Sequence, residues 1–292
     1  MLLEKLHAPI TLMNIGQYGV DLRILQRRLN DAYIDYEWDN YLLQQNKISI
    51  IKSLVSPKAL SSIAPEIWDK MYIGIIRDSD ISNIFPEISK NMLEKISNLK
   101  PTRKRCVSEY SLKWKGNWII DRIPSKPFSQ TQALISNLGE TDYRLNERKF
   151  KELPDYLFDD DLRTIMSSAA NSVKESLPNV QELNIIVHHT VVYTRPHQIS
   201  TNSPEGIHQD GMDFIVSAMV VERKNITGGK SIIYAKDKKT KLFEVELQPG
   251  QGILQPDLKT ELWHEVTPIV PISDDLDGYR SIIGLDISVV RI

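Results

Sequence analysis

The chain has 292 residues, 41% of them apolar, enough to bury a full core and ordinary for one barrel with an elaboration. Its 36 basic and 38 acidic residues leave a net charge of −2, which excludes a global field that would draw it onto nucleic acid. The single cysteine, Cys106, excludes an intrachain disulfide and reads as a small buried hydrophobe, and no apolar run approaches a membrane span.

From about Val20 to Leu54, apolar residues recur at helical spacing (Leu22, Ile24, Leu25, Leu29, Tyr33, Ile34, Trp38). Pro65, in Ile63-Ala64-Pro65-Glu66, suits the first turn of a further helix. Residues 1–100 are therefore expected to form a mostly helical N-terminal extension. Its apolar stripes must be buried somewhere, either as a buttress against a sheet or as a lid or dimerisation element, so a homodimer stays open.

After Pro101 the pattern changes. Tyr110 to Trp114 and Trp118 to Arg122 read as a β-hairpin around Gly116. Arg103-Lys104-Arg105 reads as a solvated face, three charges being too few for nucleic-acid binding. A strand is expected over Phe128–Ser136 and a helix over Asp160–Leu177, with Asp159, Asp160 and Asp161 at its positive end. From Leu183 onward the chain is almost all β. Strands are expected at 184–193, 214–222, 230–235, 242–247, 252–255, 262–267 and 281–290, with glycine turns at Gly228-Gly229 and Pro249-Gly250 between them. Such short, evenly spaced strands argue a sandwich or jelly-roll barrel. The expected fold is α+β, with a double-stranded β-helix (jelly-roll, cupin-like) core over residues 101–292.

The chemistry-bearing residues fall in this β half. In Glu205-Gly206-Ile207-His208-Gln209-Asp210-Gly211, residues two apart in extended chain point the same way, so His208 and Asp210 converge while Gln209 turns aside. A second histidine arrives in Leu262-Trp263-His264-Glu265-Val266. Two imidazoles and one carboxylate, with other coordination positions open, are the ligand set of a non-haem Fe(II) oxygenase; the same donors also suit zinc. Arg280, in Gly278-Tyr279-Arg280-Ser281, can hold a carboxylate by two parallel charge-assisted hydrogen bonds, which favours iron with 2-oxoglutarate. His-x-Asp alone is a weak signal; its order and setting carry the weight.

Pro204 to Ile215, Gly228-Gly229, Pro249-Gly250 and Trp263-His264-Glu265-Val266-Thr267-Pro268-Ile269 together resemble the bacterial 2-oxoglutarate/Fe(II) dioxygenases of the L-isoleucine dioxygenase type. The resemblance covers roughly residues 100–292, and its specific part lies between 204 and 285. It implies hydroxylation of a free L-amino acid, with Fe(II) as cofactor and 2-oxoglutarate and O₂ as co-substrates. By it, His208, Asp210 and His264 match the iron ligands and Arg280 the 2-oxoglutarate anchor. Gln130 and Arg144 fall where such enzymes place pocket residues, and Arg144 or Arg122 would anchor a substrate carboxylate.

Glu205 reads as a histidine's hydrogen-bond partner, a contact for a substrate ammonium, or a plain loop carboxylate. His188 and His189, adjacent on one strand, must face opposite ways and cannot easily share a metal; His197 reads as exposed. The expected partner is a small amino acid, with no nucleic acid and no membrane. Met1 to His7 lacks a signal peptide's apolar run, so the expected location is cytoplasmic. The same chemistry on a carrier-bound or peptidyl amino acid, or a silent metal-binding barrel serving as sensor or scaffold, are the alternatives.

Overall fold

A computed structural model describes residues 10–127 and 146–292. The chain divides into two compact units: residues 1–37, 103–126 and 150–292 form one, and residues 38–102 and 127–149 the other. One boundary, between residues 102 and 103, falls close to residue 100, but the stretch before residue 38 goes with the barrel unit, to which it contributes a strand, Thr11–Asn14, and a helix, Leu22–Ala32. The strand expected over Phe128–Ser136, with Gln130 and Arg144, lies outside the described residues.

In chain order the elements begin with β1 (Thr11–Asn14), α1 (Leu22–Ala32) and the short β2 (Glu37–Trp38). Then come α2 (Asn40–Leu54), α3 (Pro57–Ser62), α4 (Pro65–Tyr72), α5 (Ile81–Ile84) and α6 (Lys90–Ser97). The hairpin β3 (Arg103–Trp114) and β4 (Trp118–Ile123) follows, then α7 (Asp160–Ser176). The remainder is β5 (Glu182–Thr194), β6 (Phe214–Lys224), β7 (Ile226–Gly228), β8 (Ser231–Tyr234), β9 (Lys241–Val245), β10 (Gln251–Pro256), β11 (Trp263–Val266), β12 (Ile269–Pro271) and β13 (Gly278–Arg291).

The single amphipathic stretch expected from Val20 to Leu54 is two helices, α1 and α2, each started by an aspartate that caps backbone N–H groups: Asp21 for Arg23 and Ile24, Asp39 for Leu42. The helical unit has its own core, in which Ile48, Ile51, Met71 and Ile96 are buried around Trp68 stacked on Phe85. Pro65 occupies the first turn of α4, where its missing N–H costs nothing.

In the barrel unit an antiparallel sheet runs β1-β10-β6-β13-β5-β3, and β4 pairs with β3. A smaller sheet runs β11-β8-β9, and β12 pairs with β7. Strand alternation divides the larger sheet into two faces. On one face Cys106, Tyr110, Val187, Val191, Ile283 and Leu285 join the core that includes Leu25 and Leu29 of α1 and Ile165, Met166 and Ala169 of α7. Arg28 of α1 ties the two helices by bridging Asp159 and Asp161 at the start of α7. The other face looks into the barrel. There Ala218, Val220 and Ile282 of the larger sheet meet Ile233 of the smaller, with Leu247, Ile253 and Leu262.

The chain kinks where β7, paired with β12, passes into β8 of the smaller sheet. Gly228 and Gly229 both hold positive φ, 81° and 64°, and Gly229 N–H donates to the Pro268 carbonyl at 3.1 Å. A Cβ on Gly228 would lie 2.1 Å from that carbonyl oxygen. Gly228→Ala is therefore expected to destabilise the fold by about 2–4 kcal/mol, read by urea denaturation. A wild-type midpoint would contradict this account of the kink.

Candidate metal and 2-oxo acid site

The chain from Ser200 to His208 is clipped at both ends, to β12 at Ser200 and to β11 of the smaller sheet at His208. Ser200 bridges Ile269, and His208 bridges His264, whose backbones exchange two hydrogen bonds of 2.9 Å each. That pair sets the two imidazoles side by side, with ring centroids 4.4 Å apart and planes tilted by 57°. Asp210 follows by alternation: His264 Nε2 lies 3.2 Å from its Oδ2, and His208 Nε2 lies 3.5 Å from its Oδ1. Gln209 points away and plugs the gap behind, donating to the carbonyls of Asp257 (3.0 Å) and Leu262 (2.7 Å).

One donor atom from each of His208, Asp210 and His264 lies within 4.8 Å of the others. Ligands each about 2.0–2.2 Å from a divalent ion stand roughly 3 Å apart, so these separations fit an ion between them. An oxygen stands behind each of the other ring nitrogens, within hydrogen-bond distance at His208 only. His208 Nδ1 is 2.7 Å from the Gly206 carbonyl, which turns Nε2 toward the site. His264 Nδ1 faces Asp257 Oδ1 at 3.6 Å, and Asp257 is itself fixed by accepting the Gly211 N–H at 2.6 Å. Asp257 is fully buried. Burial pushes its carboxyl up, with His264 pulling the other way. Nothing in its sequence neighbourhood marks it, because its role depends on the strand that returns beside it.

The electrostatics favour a cation. Burial would raise the Asp210 carboxyl, but His264 and His208 hold it well below the usual carboxylate range. Burial would lower His208; Glu205, whose Oε1 is 3.4 Å from Nε2, and Asp210 outweigh it and raise the imidazole to about 9. Without metal, His208 thus keeps its proton at neutral pH.

Arg280 is almost wholly buried on the inner face, and its Nε and Nη2 have no hydrogen-bond partner among the described residues. Burial, and then the neighbouring Arg223, push it down to about 9, while Glu246 acts the other way. Arg223 is already engaged by Glu246 (3.1 Å) and the Gly228 carbonyl (2.8 Å). Gly229 lies against Arg280, where a Cβ would sit 3.0 Å from Cδ. A buried guanidinium with one edge open is a seat for a carboxylate.

Other expected residues fall differently. Arg122 is not brought to the site: it stands on the outer side, held by Asp155 (2.7 Å), Glu152 (2.9 Å) and Ser108 (3.0 Å). The basic run is not a solvated face. Arg103 is buried and donates to the Asn202 carbonyl (2.7 Å), and Lys104 donates to the Tyr33 carbonyl (2.9 Å). Arg105 turns inward and donates to His188 Nδ1 at 2.7 Å, leaving His188 Nε2 to donate to Asp286 at 2.9 Å. His189 faces the opposite side, against the Tyr36 hydroxyl at 2.9 Å. His197 is exposed, with a side chain 82% accessible.

The sequence profile of the 2OG-Fe dioxygenase family matches residues 89–286, and the chain belongs to that family. It is a 2-oxoglutarate-dependent dioxygenase, using Fe(II), 2-oxoglutarate and O₂. No curated protein matches it. Among solved structures, a BsmA homologue from Methylobium petroleophilum PM1 shares the fold at 16% identity and a TM-score of 0.55, over 65% of this chain and 73% of that one. IDO from Bacillus thuringiensis aligns at 16% identity and 0.48, over 65% of this chain and 78% of that one. The Fe(II)/α-ketoglutarate-dependent dioxygenase TqaL aligns at 13% and 0.44, over 80% and 90%. No helix among the described residues is long and apolar enough to cross a membrane.

Because a metal must displace the His208 proton, affinity for a divalent ion is expected to fall about tenfold per pH unit below about 9. Calorimetry in two buffers of different ionisation enthalpy should show proton release at pH 7; a pH-independent affinity would contradict it. Asp257→Asn should weaken metal binding roughly 10- to 100-fold by loosening His264.

Proposed function

We propose that this dioxygenase oxidises an unactivated C–H bond of a free L-amino acid or close derivative, with His208, Asp210 and His264 as iron ligands and Arg280 as the anchor of 2-oxoglutarate. The observation that carries the reading is the triad on the same barrel interior as a buried guanidinium with an open edge. Bound there, Fe(II) supplies the chemistry by which 2-oxoglutarate and O₂ yield succinate, CO₂ and an oxidised substrate.

The chain's own part is to bind, orient and keep water away. His208 and His264 present Nε2 because the Gly206 carbonyl and Asp257 stand at their other nitrogens. Asp210 contributes the negative charge. Arg280 takes the far carboxylate of the oxo acid, and Val220, Ile233 and Ile282 line the interior with apolar surface. Glu205, beside the metal-facing nitrogen of His208, offers its carboxylate to a substrate ammonium. Arg105, on the inner face and oriented by His188, is the described guanidinium best set for a substrate carboxylate, in place of Arg122. Arg144 keeps its expected role as a second candidate. The similarity to the L-isoleucine dioxygenase type supports the amino-acid substrate, and the buried free thiol of Cys106 suits a reducing cytoplasm.

Anaerobically purified, Fe(II)-loaded protein given 2-oxoglutarate, O₂ and each of the twenty L-amino acids should form succinate coupled to an oxidised amino acid with at least one of them. Slow succinate that no amino acid stimulates would move the substrate to a carrier-bound or larger molecule. No succinate with iron bound would favour a silent barrel. In a coupled reaction, Glu205→Gln should raise the KM for the amino acid about tenfold while leaving that for 2-oxoglutarate near wild type.

A further inference from the structure

The barrel interior carries more carboxylates than an amino acid's own two charges use. The substrate carboxylate and ammonium would be answered by Arg105 and Glu205. Two further buried carboxylates remain, Glu109 of β3 and Asp286 of β13, and neither is paired with a lysine or arginine among the described residues. Glu109 accepts from the Asn184 amide at 2.5 Å. Asp286 accepts from His188 Nε2 at 2.9 Å, and because Arg105 donates to the other nitrogen of that ring, His188 meets Asp286 uncharged. A buried charge with only neutral partners is costly, and a cation on a ligand would offset that cost.

Register sets these groups in one line. Asp286 lies opposite Ile186 of β5 on one side and Ile215 of β6 on the other; Ile186 lies opposite Glu109, and Ile215 opposite Gln255 of β10. Residues paired across strands share a face, and Asp286, on the same alternation as the inward Ile282, faces the interior. The inner wall therefore alternates polar and apolar side chains along this line. Gln255 is an independent sign that the line meets a ligand: it is wholly buried, and neither its amide oxygen nor its amide nitrogen has a hydrogen-bond partner among the described residues. Ile186 is partly exposed, which leaves an apolar floor open between the two carboxylates. The spacing suits a side chain. His188 lies opposite Val107, so the Arg105 guanidinium that reaches it stands near the level of Val107. Glu109 is two residues further along β3, about 7 Å, a separation that a straight-chain amino acid spans from its carboxylate to its side-chain terminus.

We propose that Glu109 and Asp286, with Gln255 as a neutral acceptor beside them, bind a cationic side chain, so that the substrate is a basic L-amino acid bearing an ammonium or a guanidinium. The inference rests on the amino-acid reading of the site. These three residues act on binding and take no part in bond making.

The test is calorimetric binding to protein loaded with Mn(II) and 2-oxoglutarate without O₂, so that no turnover is needed. The probes are L-lysine, L-ornithine, L-arginine and L-2-aminoheptanoate, which is lysine with a methyl in place of the side-chain ammonium. Wild type should bind at least one basic amino acid about tenfold or more tighter than 2-aminoheptanoate, and which one it prefers separates ammonium from guanidinium. Glu109→Gln and Asp286→Asn keep the shape and the neutral hydrogen bonds. Each should remove about tenfold of the affinity for the basic amino acid and leave 2-aminoheptanoate unchanged, and Gln255→Met should remove about fivefold. Equal binding of 2-aminoheptanoate and the basic amino acids, or equal weakening of both kinds by Glu109→Gln, would overturn the cationic subsite while the amino-acid reading stands. Binding of L-isoleucine but none of the basic three would do the same. If no amino acid binds at all, the amino-acid reading falls and the subsite with it.

Discussion

The site depends on one pair of backbone hydrogen bonds, those exchanged by His208 and His264. The two histidines come from segments 56 residues apart, and the bridge fixes their separation before any ion arrives. Asp210 needs no separate support, since alternation from His208 brings it to the same side and Gln209 locks the intervening residue against two carbonyls. The second bridge, Ser200 to Ile269, keeps the loop from peeling away. Preorganisation of this kind spares the metal the cost of ordering its ligands.

Charge is the second constraint. The barrel interior buries cationic groups that a folded protein would ordinarily expose. Arg103 and Arg105 find backbone and imidazole partners within the fold, and Arg223 finds Glu246. The open edge of Arg280 is not matched in this way. A buried charge left incomplete costs stability, and that cost is recovered when an anion binds. The kink at Gly228-Gly229 belongs to the same design: it ends β7, starts β8 and leaves room for the Arg280 stem.

Much of this was legible in the residues. Residue patterning located the turn of the hairpin β3–β4 and the long strands β5, β6 and β13 to within a few residues, though β3 begins seven residues before the expected Tyr110, and the aspartates ahead of Leu162 marked the start of α7. His-x-Asp was readable because a candidate ligand pair two residues apart is a local pattern. What escaped was tertiary. β1, β7 and β12 have four residues or fewer, too short for a periodic signal. The membership of residues 1–37 in the barrel follows from pairing of β1 with β10, which no local pattern announces. Arg122 looked available until Glu152 and Asp155 were seen to hold it. Asp257 was missed because only the fold carries it behind His264.

The most direct test of the account is the visible charge-transfer band of a 2-oxo acid chelated to ferrous iron, recorded anaerobically on protein given Fe(II) and 2-oxoglutarate. The account predicts the band in wild type, its loss in His264→Ala, and in Arg280→Met a band that appears only at much higher 2-oxoglutarate concentration. A wild-type protein that binds iron but shows no band, or a band that survives loss of His264 unchanged, would contradict it.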